Sequence, residues 1–388
     1  MKNNIYIHFP FCKTRCDYCN FYSQTSKSNY KDYSEYINLL LHEIQLQKNF
    51  LTSNNIDNLY LGGGTPSVFN IELIIKLLDY IYKIFNVSSN AEITIEVNPD
   101  DITPDYVKEL SQNSPINRVS VGIQSFNDIE LKSVNRRHTS LQAKKALENI
   151  NKYFDNFSLD LIYGLPYQTL KSFKDNIDTA LLFNPKHISA YALTIEETSP
   201  LYKNILANKN NLKLNIPSEE FTIECYHLIN NILKDHGFIQ YEISNYCIKD
   251  YKAKHNSCYW DIDNGYLGLG AGAHSYNGEL RQYNIPSLIK YKSNLSNNNY
   301  YSQEKITKKM KYNEYIMLKL RTNNGINLNY INKKFGTDFY NNTLAELKNI
   351  KPEHLVNNLS TIENNDNIIL NTEGLLFADY YASLSFEL

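Results

Sequence analysis

Short runs of β-branched and aromatic residues alternate with longer amphipathic segments over about the first 200 residues of the chain. The runs predict strands at residues 5–8, 58–61, 92–97, 117–121, 157–162 and 187–191. The segments between them predict helices near 29–51, 71–85, 103–112, 141–154 and 169–183. Because a helix separates each strand from the next, we expect parallel pairing through right-handed crossovers, in a barrel or in a doubly wound sheet.

The alternation fades after about residue 200. Residues 204–215 predict a surface connection, 218–235 a helix, and 240–244 and 266–275 further β structure. The polar stretch 293–303 predicts a linker, and the tail 305–388 is mostly helical with a hairpin near 359–370. We therefore expect a core over 1–285, made of a barrel over about 1–200 and added elements over 206–285. A smaller, mainly helical C-terminal domain is expected over 300–388.

Residues with chemical potential follow the predicted strands. They are Cys12, Cys16 and Cys19 after the first strand, 62–66 after the second, Glu96 near the end of the third, Gln124 after the fourth and 164–166 after the fifth. In barrels and in doubly wound sheets, sites lie beyond the carboxyl ends of the parallel strands. The positions therefore predict one shared site at that end of the sheet.

The composition is that of a globular protein, with 42% hydrophobic and 21% charged residues among 388. The 39 basic and 41 acidic side chains nearly cancel, so we expect no nucleic-acid partner. Four charged residues interrupt the longest apolar region, 71–85, so no transmembrane segment is expected. The first residues lack the features of a signal peptide, which predicts a cytoplasmic protein in reducing surroundings.

Three of the six cysteines fall within eight residues, as Cys12-x3-Cys16-x2-Cys19. In reducing surroundings such clusters are typical of metal or redox sites. Four thiolates saturate an iron–sulfur cluster, whereas three leave one iron free for an outside ligand. A Cys3His zinc site that includes His8 is the alternative. It is less favoured because structural zinc sites usually draw their ligands from two separated knuckles, and these cysteines share one loop.

Residues 6–12, Tyr-Ile-His-Phe-Pro-Phe-Cys, with Cys16, Tyr18 and Cys19, resemble the radical S-adenosylmethionine (SAM) superfamily. Within it, the chain resembles the branch that contains oxygen-independent coproporphyrinogen III oxidase and the heme chaperone HemW. Further matching segments are 61–67, 96–99, 122–126, 160–166, 241–245, 255–260, 266–276 and 374–377. The resemblance implies an α/β fold, a partial (β/α)6 TIM-like barrel, with a [4Fe-4S] cluster on Cys12, Cys16 and Cys19. It also implies SAM as cofactor, its reductive cleavage to a 5′-deoxyadenosyl radical, and an electron donor for the cluster.

The resemblance implies SAM contacts from Tyr6, Tyr18, Gly63, Gly64, Thr65, Glu96, Gln124, Arg136, Asp160 and Ala192. Glycines let the backbone approach a ligand and offer N–H groups to a carboxylate, and an arginine fork can bind both carboxylate oxygens. Arg136 adjoins Arg137, and the spacing Gln124-x11-Arg136 selects Arg136 as the inward one. The alternatives are a plain Gly/Pro turn, a helix-capping acid at Glu96 and core packing for the tyrosines. The glycine run 268–272 lacks the spacing of a dinucleotide fingerprint and predicts close backbone packing.

Two functions fit the resemblance, a heme chaperone and an oxidase that decarboxylates coproporphyrinogen III. The oxidase pattern has a fourth cysteine where this chain has Phe21, and it has an N-terminal extension for which no room precedes Cys12. Residues 255–260, His-Asn-Ser-Cys-Tyr-Trp, match the HNxxYW motif associated with heme binding in the chaperone branch. The sequence therefore favours the chaperone, with heme as cargo and heme apoproteins as recipients.

An imidazole can ligate heme iron, and aromatic rings can pack on the macrocycle, so His255 is the candidate axial ligand. His138, His274 and Cys258 remain competing ligands, and a packed pocket wall is the structural alternative for His255. The sequence leaves open which apoproteins receive heme, whether SAM is cleaved productively, and whether the working form is a monomer or a homodimer.

Overall fold

A computed structural model describes residues 2–25, 30–356 and 367–386 of the chain. Within these residues the strands are β1 (Asn3–Phe9), β2 (Phe11–Cys12), β3 (Gln24–Thr25), β4 (Asn55–Gly63), β5 (Asn86–Val97), β6 (Arg118–Gln124), β7 (Phe157–Tyr163), β8 (His187–Ala192), β9 (Ile239–Glu242), β10 (Asn245–Cys247), β11 (Gly265–Leu269), β12 (His274–Tyr276), β13 (Leu280–Asn284), β14 (Tyr301–Lys305), β15 (Ile326–Asn327) and β16 (Asn367–Ile368).

The α-helices in the same residues are α1 (Tyr30–Gln47), α2 (Ile71–Ile84), α3 (Pro104–Asn113), α4 (Asp128–Ser133), α5 (Ser140–Asn151), α6 (Leu170–Leu181), α7 (Pro200–Leu206), α8 (Glu219–Asp235), α9 (Lys254–Cys258), α10 (Leu288–Leu295), α11 (Lys308–Leu320), α12 (Leu328–Phe335), α13 (Thr337–Leu347), α14 (Thr372–Leu375) and α15 (Ala378–Leu384). Short 3-10 helices cover Pro66–Val68, Pro99–Asp101, Lys209–Leu214 and Pro352–His354.

The six predicted strands are confirmed as β1, β4, β5, β6, β7 and β8, and the predicted helices are α1, α2, α3, α5 and α6. These strands are all parallel and lie side by side in chain order. A doubly wound sheet would reverse its order at a switch point, whereas a barrel keeps chain order. The order therefore identifies the partial (β/α)6 barrel. The sheet continues beyond β1 through β11, β12, β13 and β14, and beyond β8 through β10 and β9.

Side chains alternate along the central strands with the period of two that a strand imposes. One face carries buried apolar residues that pack on the helices, such as Ile5, Ile7, Leu59, Leu61, Ile93, Ile95, Val119 and Val121. The other face carries polar residues, such as Asn4, Tyr6, His8, Asn58, Tyr60, Glu92, Thr94, Glu96, Arg118, Ser120, Ser158 and Asp160. Barrel interiors are usually filled by branched apolar side chains. This interior is polar instead, which leaves the apolar core between the sheet and the helices.

The polar stretch 293–303 is not a linker, which corrects the prediction. It forms the end of α10 and the beginning of β14, which pairs with β13 at the edge of the main sheet. Tyr300 is fully buried, and its hydroxyl accepts a hydrogen bond from Gln47 Nε2 at 2.7 Å. The polar residues around Tyr300 belong to an exposed edge strand. Their composition therefore predicted a linker although one aromatic ring in the stretch is buried.

A second apolar core lies in the C-terminal part of the chain. It joins Ile262 to residues from α11 through α15, among them Tyr312, Ile316, Phe335 and Leu375. Strand β16 pairs antiparallel with β15, and residues 357–366, where most of the expected hairpin falls, lie outside the described residues. The stretch 204–215 contains the end of α7 and the 3-10 helix Lys209–Leu214. No helix in the described ranges is long and apolar enough to cross a bilayer.

A buried carboxyl group joins α1 to the later strands. Glu43 is fully buried, and its carboxyl accepts hydrogen bonds from Gly270 N–H at 2.6 Å, Asn284 Nδ2 at 2.6 Å and the Tyr291 hydroxyl at 2.5 Å. Burial raises the pKa of Glu43 from 4.5 to about 7, and the three donors only partly oppose this rise. The folded state therefore binds a proton at Glu43 more readily than the unfolded chain does.

This shift predicts a pH-dependent stability. Because the folded pKa is raised, the stabilising contribution is present below pH 4.5 and is lost as the pH rises towards 7. The free energy of unfolding of the wild-type protein should therefore be lower at pH 7.5 than at pH 5. In urea unfolding, we expect Glu43→Gln to make this difference between the two pH values smaller by about 2–3 kcal/mol. Glu148→Gln, on the exposed face of α5, should leave the fall unchanged. Equal pH dependence in wild type and Glu43→Gln would contradict the assignment.

Candidate functional site

A cavity of about 520 Å³ opens at the carboxyl ends of the parallel strands. Sequence-predicted residues that line it are Cys12, Cys16, Tyr18, Cys19, Gly63, Gly64, Thr65, Glu96, Gln124, Arg136, Asp160 and Ala192. They lie in or after six parallel strands, β1 and β4 to β8, and are up to 180 residues apart in the chain. The expectation that functional residues share one end of the sheet is therefore met by the fold.

The three cysteines follow β1 on one loop and carry free thiols at the cavity wall. Thr65 Oγ1 lies 3.5 Å from Cys12 Sγ, and Arg136 Nη1 lies 3.3 Å from Cys16 Sγ. Burial raises the pKa of the Cys19 thiol to about 11, and its two cysteine neighbours raise it further. Three soft sulfur donors with nearby hydrogen-bond donors fit an iron–sulfur cluster, whose iron charge favours the thiolate form.

The zinc alternative fails at its fourth ligand. His8 Nδ1 lies 3.0 Å from the Tyr6 hydroxyl, and His8 Nε2 lies 2.8 Å from the carbonyl oxygen of Tyr22. Both ring nitrogens are thus engaged within the protein. Moreover, across residues 2–25, 30–356 and 367–386, no three His, Cys, Asp or Glu side chains are grouped to hold one metal ion. The described arrangement therefore gives no support to a mononuclear Cys3His site.

The glycine loop after β4 packs tightly against β1. Gly63 adopts a φ of +106°, and a Cβ atom there would lie 2.4 Å from His8 Nδ1. Its N–H donates to Glu96 Oε2 at 3.0 Å, and the N–H of Gly64 donates to the carbonyl of Phe9 at 2.8 Å. Both N–H groups are therefore used inside the protein, contrary to the idea that they are free for a ligand carboxylate. The loop still brings Thr65 to the cavity.

Two half-buried carboxyl groups lie on the inner face of the sheet at the floor of the cavity. Glu96 Oε1 accepts a hydrogen bond from the Tyr60 hydroxyl at 2.8 Å, and Asp160 Oδ1 accepts one from Ser120 Oγ at 3.4 Å. Burial raises the pKa of Glu96 to about 7 and that of Asp160 to about 6. The charge of Asp160 raises the pKa of Glu96 further. The floor is a small acidic site that can bind a cation or hydroxyl groups.

Of the two adjacent arginines, the structure places Arg136 in the cavity. Arg136 Nη2 donates to Asn98 Oδ1 at 2.9 Å and also contacts the carbonyl of Gly122. Arg137 turns away and pairs with Asp100 at 2.6 Å. The guanidinium of Arg136 thus lies between the cysteine loop and the end of β6, where it can bind a carboxylate as well as the sulfur of Cys16.

Tyr6 and His255 are not among the residues that line this cavity. Their rings stack with Tyr60, whose ring centroid is 6.1 Å from that of Tyr6 and 4.9 Å from that of His255. His255 is 1% exposed, its Nε2 lies 3.0 Å from the Tyr259 hydroxyl, and burial lowers its pKa to about 3. Its Nδ1 has no hydrogen-bond partner in the described part of the chain.

The competing heme ligands differ in access. His138 is buried with Nε2 3.1 Å from the Ile123 carbonyl, and Cys258 is buried in α9. His274 is exposed, and its ring packs on that of Tyr283 at 4.9 Å.

A Cβ atom at Gly268 would lie 2.0 Å from the carbonyl oxygen of His274, so the glycine run 268–272 packs backbone against backbone, as predicted.

Several cavity residues were not singled out from the sequence. They are Tyr60, Asn98, Ser120, Ser189, Tyr191 and Asn256. Tyr60, Ser120 and Ser189 lie at the inward positions of strands whose residues alternate between polar and apolar. This alternation can be recognised in the sequence. Asn256 lies next to His255 in the segment that matches the heme motif, and in the structure it is the member of this pair that reaches the cavity.

Comparisons with known proteins agree with this geometry. A sequence model described as the Radical SAM superfamily matches residues 6–180. Heme chaperone HemW of Buchnera aphidicola subsp. Schizaphis graminum is 37% identical over 350 residues, which cover 85% of this chain and 89% of that protein. The chain belongs to the HemW family of the radical SAM superfamily. Heme chaperone HemW of Bacillus subtilis is another relative, 32% identical over 91% of this chain and 92% of its own length.

The solved structures confirm the fold. Coproporphyrinogen III oxidase HemN of Escherichia coli, described as a radical SAM enzyme, superposes with a TM-score of 0.83. The match covers 99% of this chain and 90% of that one at 22% sequence identity. At this identity the likeness concerns the fold alone. This member of the HemW family thus shares its α/β architecture with the oxidase, and the functional distinction must come from individual residues.

The tight packing of the glycine loop predicts a large cost for one added methyl group. Gly63→Ala should destabilise the protein by more than the roughly 1–2 kcal/mol expected for a left-handed non-glycine residue, because its Cβ atom also meets His8. Gly237→Ala is the matched control, since Gly237 has a φ of +80° and no atom within 4 Å of an added Cβ. Urea unfolding measures both. Equal destabilisation by the two changes would show that the contact with His8 is unimportant.

Proposed function

We propose that this protein is a cytoplasmic heme chaperone that holds a [4Fe-4S] cluster on Cys12, Cys16 and Cys19 and binds SAM in the adjoining cavity. Its cargo is heme, which it delivers to apoproteins. The observation that supports this proposal is the convergence of three cysteines and the half-buried charged groups Glu96, Arg136 and Asp160 on one cavity in a chain of the HemW family. Recipient apoproteins, an electron donor for the cluster and assembly as monomer or homodimer belong to the same proposal.

The residues of the cavity suit the charges of SAM. The Arg136 guanidinium is placed to bind the carboxylate of the methionyl group, and Glu96 and Asp160 to bind its cationic groups or ribose hydroxyls. Tyr18 and Ala192 complete the walls. When bound, the cluster supplies one electron for cleavage of the sulfonium bond, and the protein's part is to orient SAM and exclude water.

The oxidase alternative has less support. Phe21, at the position where the oxidase pattern carries a fourth cysteine, lies at the cavity and is 68% exposed. Tyr191, also at the cavity, is 42% exposed. Exposed aromatic rings at a cavity rim suit contact with a flat apolar macrocycle. Anaerobically reconstituted protein should therefore take up heme and show no appreciable conversion of coproporphyrinogen III to protoporphyrinogen IX. Robust decarboxylation without heme uptake would favour the oxidase.

The domain division also remains a proposal. Apart from Ile262, the second core consists of residues from Tyr312 onward, and β14 still belongs to the main sheet, so we place the C-terminal domain after this strand rather than at residue 300. This domain packs on α8, because the Tyr226 hydroxyl donates to the carbonyl of Thr372 at 3.2 Å. Contact with a recipient protein is a role that such a domain could serve.

The cluster assignment predicts the effect of a single thiol. After anaerobic reconstitution, Cys16→Ala should lose most of its iron and acid-labile sulfide and its brown colour, because two thiolates on the loop hold the cluster poorly. Cys225→Ala, a buried cysteine of α8 outside the cavity, should keep the wild-type content. Colourless wild-type protein that binds zinc and no iron would overturn the assignment.

Heme titration tests the role of His255. The Tyr259 hydroxyl lies 3.0 Å from His255 Nε2, so this nitrogen already has a hydrogen-bond partner. If His255 ligates heme, His255→Ala should weaken or shift the Soret band, whereas Tyr259→Phe should accelerate its appearance because Nε2 is freed. His274→Ala is the comparison at an exposed histidine. A Soret band lost only in His274→Ala would assign the ligand to His274 instead.

A further inference from the structure

A buried arginine lies beneath the floor of the cavity. Arg118 is the first residue of β6 and is 1% exposed. It stands beside Thr94 of β5 in the strand register, and two residues before Ser120, which lines the cavity. Because side chains two positions apart on a strand share a face, Arg118 lies on the inner face of the sheet, one layer below Ser120.

The guanidinium of Arg118 has no hydrogen-bond partner. Its Nε, Nη1 and Nη2 atoms are buried and unpaired in the described residues. The nearest recorded carboxylate oxygen, Glu92 Oε2, is 4.0 Å from Nε, beyond hydrogen-bond distance. The other oxygen of Glu92 already accepts the N–H groups of Lys254 and His255 at 2.9 and 3.2 Å. A buried cation with five N–H donors is costly unless acceptors satisfy it.

Other polar atoms of the interior are unpaired as well. Thr94 Oγ1, Asn245 Oδ1 and His255 Nδ1 are buried without a partner in the described parts of the chain. Of these atoms, Thr94 Oγ1 belongs to the residue that faces Arg118 in the register of β5 and β6. The charge of Arg118 acts on the carboxyl groups above it, since it lowers the pKa of both Glu96 and Asp160 against the effect of burial.

We propose that Arg118 is a positioning residue whose buried charge, one layer below Ser120 on the inner face of the sheet, favours the ionised forms of Glu96 and Asp160, so that the cavity floor binds the cationic groups of its ligand. The inference rests on the proposed function, in which that ligand is SAM with its sulfonium and ammonium groups. Arg118 itself touches neither ligand nor cluster. Its effect is electrostatic and passes through the two carboxylates.

Other titratable groups also lie around the cavity floor. Besides Glu96 and Asp160, the groups around the floor are Tyr6 of β1, Tyr60 of β4, Glu92 of β5, Arg136 after α4, His187 and Tyr191 of β8, and His255 of α9. Burial raises the pKa of the tyrosines and lowers that of both histidines, so these groups stay neutral between pH 5.5 and 8.5. Glu242 of β9, which acts on Tyr191, also titrates in this range because burial raises its pKa to about 7. The difference in midpoint between wild type and the Arg118 variants, rather than the pH dependence of wild type alone, therefore reports on Glu96 and Asp160.

The test is the pH dependence of SAM binding to the reconstituted protein, measured as a dissociation constant in wild type, Arg118→Met, Arg118→Lys and Thr94→Val. Affinity in wild type should rise with pH as the carboxyls ionise. In Arg118→Met the midpoint should move up by about one pH unit, the lower end for loss of an opposite charge, with about tenfold weaker binding below the midpoint. Arg118→Lys keeps the charge and Thr94→Val leaves it untouched, so both should keep the wild-type midpoint. Titration of SAM itself affects every variant equally and therefore does not change the comparison.

An unchanged midpoint in Arg118→Met, or an equal loss of affinity at every pH, would overturn the inference, because a merely structural role predicts no shift. If Arg118→Met does not fold, Arg118→Gln replaces it, since it also removes the charge and keeps N–H donors. If wild type binds no SAM at all, the proposed function fails instead. The carboxyl pKa values of Glu96 and Asp160, measured by ¹³C NMR in wild type and the neutral variant, then decide the role of Arg118 alone.

Discussion

The polar inner face of the parallel sheet is the constraint on which the rest of the structure depends. A buried hydroxyl, carboxyl or imidazole needs a partner, and most of those inside the barrel find one across neighbouring strands. His187 is one example, since its two ring nitrogens lie 2.7 Å from Ser158 Oγ and 2.7 Å from the Tyr241 hydroxyl. Such fixed pairings leave space that apolar side chains would have filled, and the cavity lies at the open end of this space.

Stability and chemistry are divided between the two faces of the same strands. The outward residues of β1, β4, β5 and β6 form a continuous apolar core with the helices, and burial of this apolar surface is the main favourable contribution to folding. The inward residues are thereby free to carry charge. This division explains how a barrel can tolerate Glu96, Asp160 and Arg118 on neighbouring strands, since a single shared core would not accommodate them.

The sequence was sufficient for the local elements, because strand composition and helical periodicity are local signals. It could not separate a barrel from a doubly wound sheet, since that choice depends on which distant strands become neighbours. The cysteine loop and the glycine loop were located from spacing, but the loss of the glycine N–H groups to Glu96 and Phe9 is a long-range contact. The linker prediction at 293–303 was wrong because most residues of this stretch are polar, and the burial of the one ring of Tyr300 depends on distant contacts. The burial of His255 and its contact with Tyr259 likewise have no signature in the motif that contains both.

The pairing of β1 has a consequence for the order of events during synthesis. β1 is flanked on one side by β4 and on the other by β11, whose first residue is Gly265. On the ribosome, the strand that leads to Cys12 thus keeps an unpaired edge until β11 has been made. The loop that carries the cysteines therefore rests on a strand that stays open on one side while some 250 further residues are added, and a labile inorganic group bound there earlier would meet an unfinished sheet.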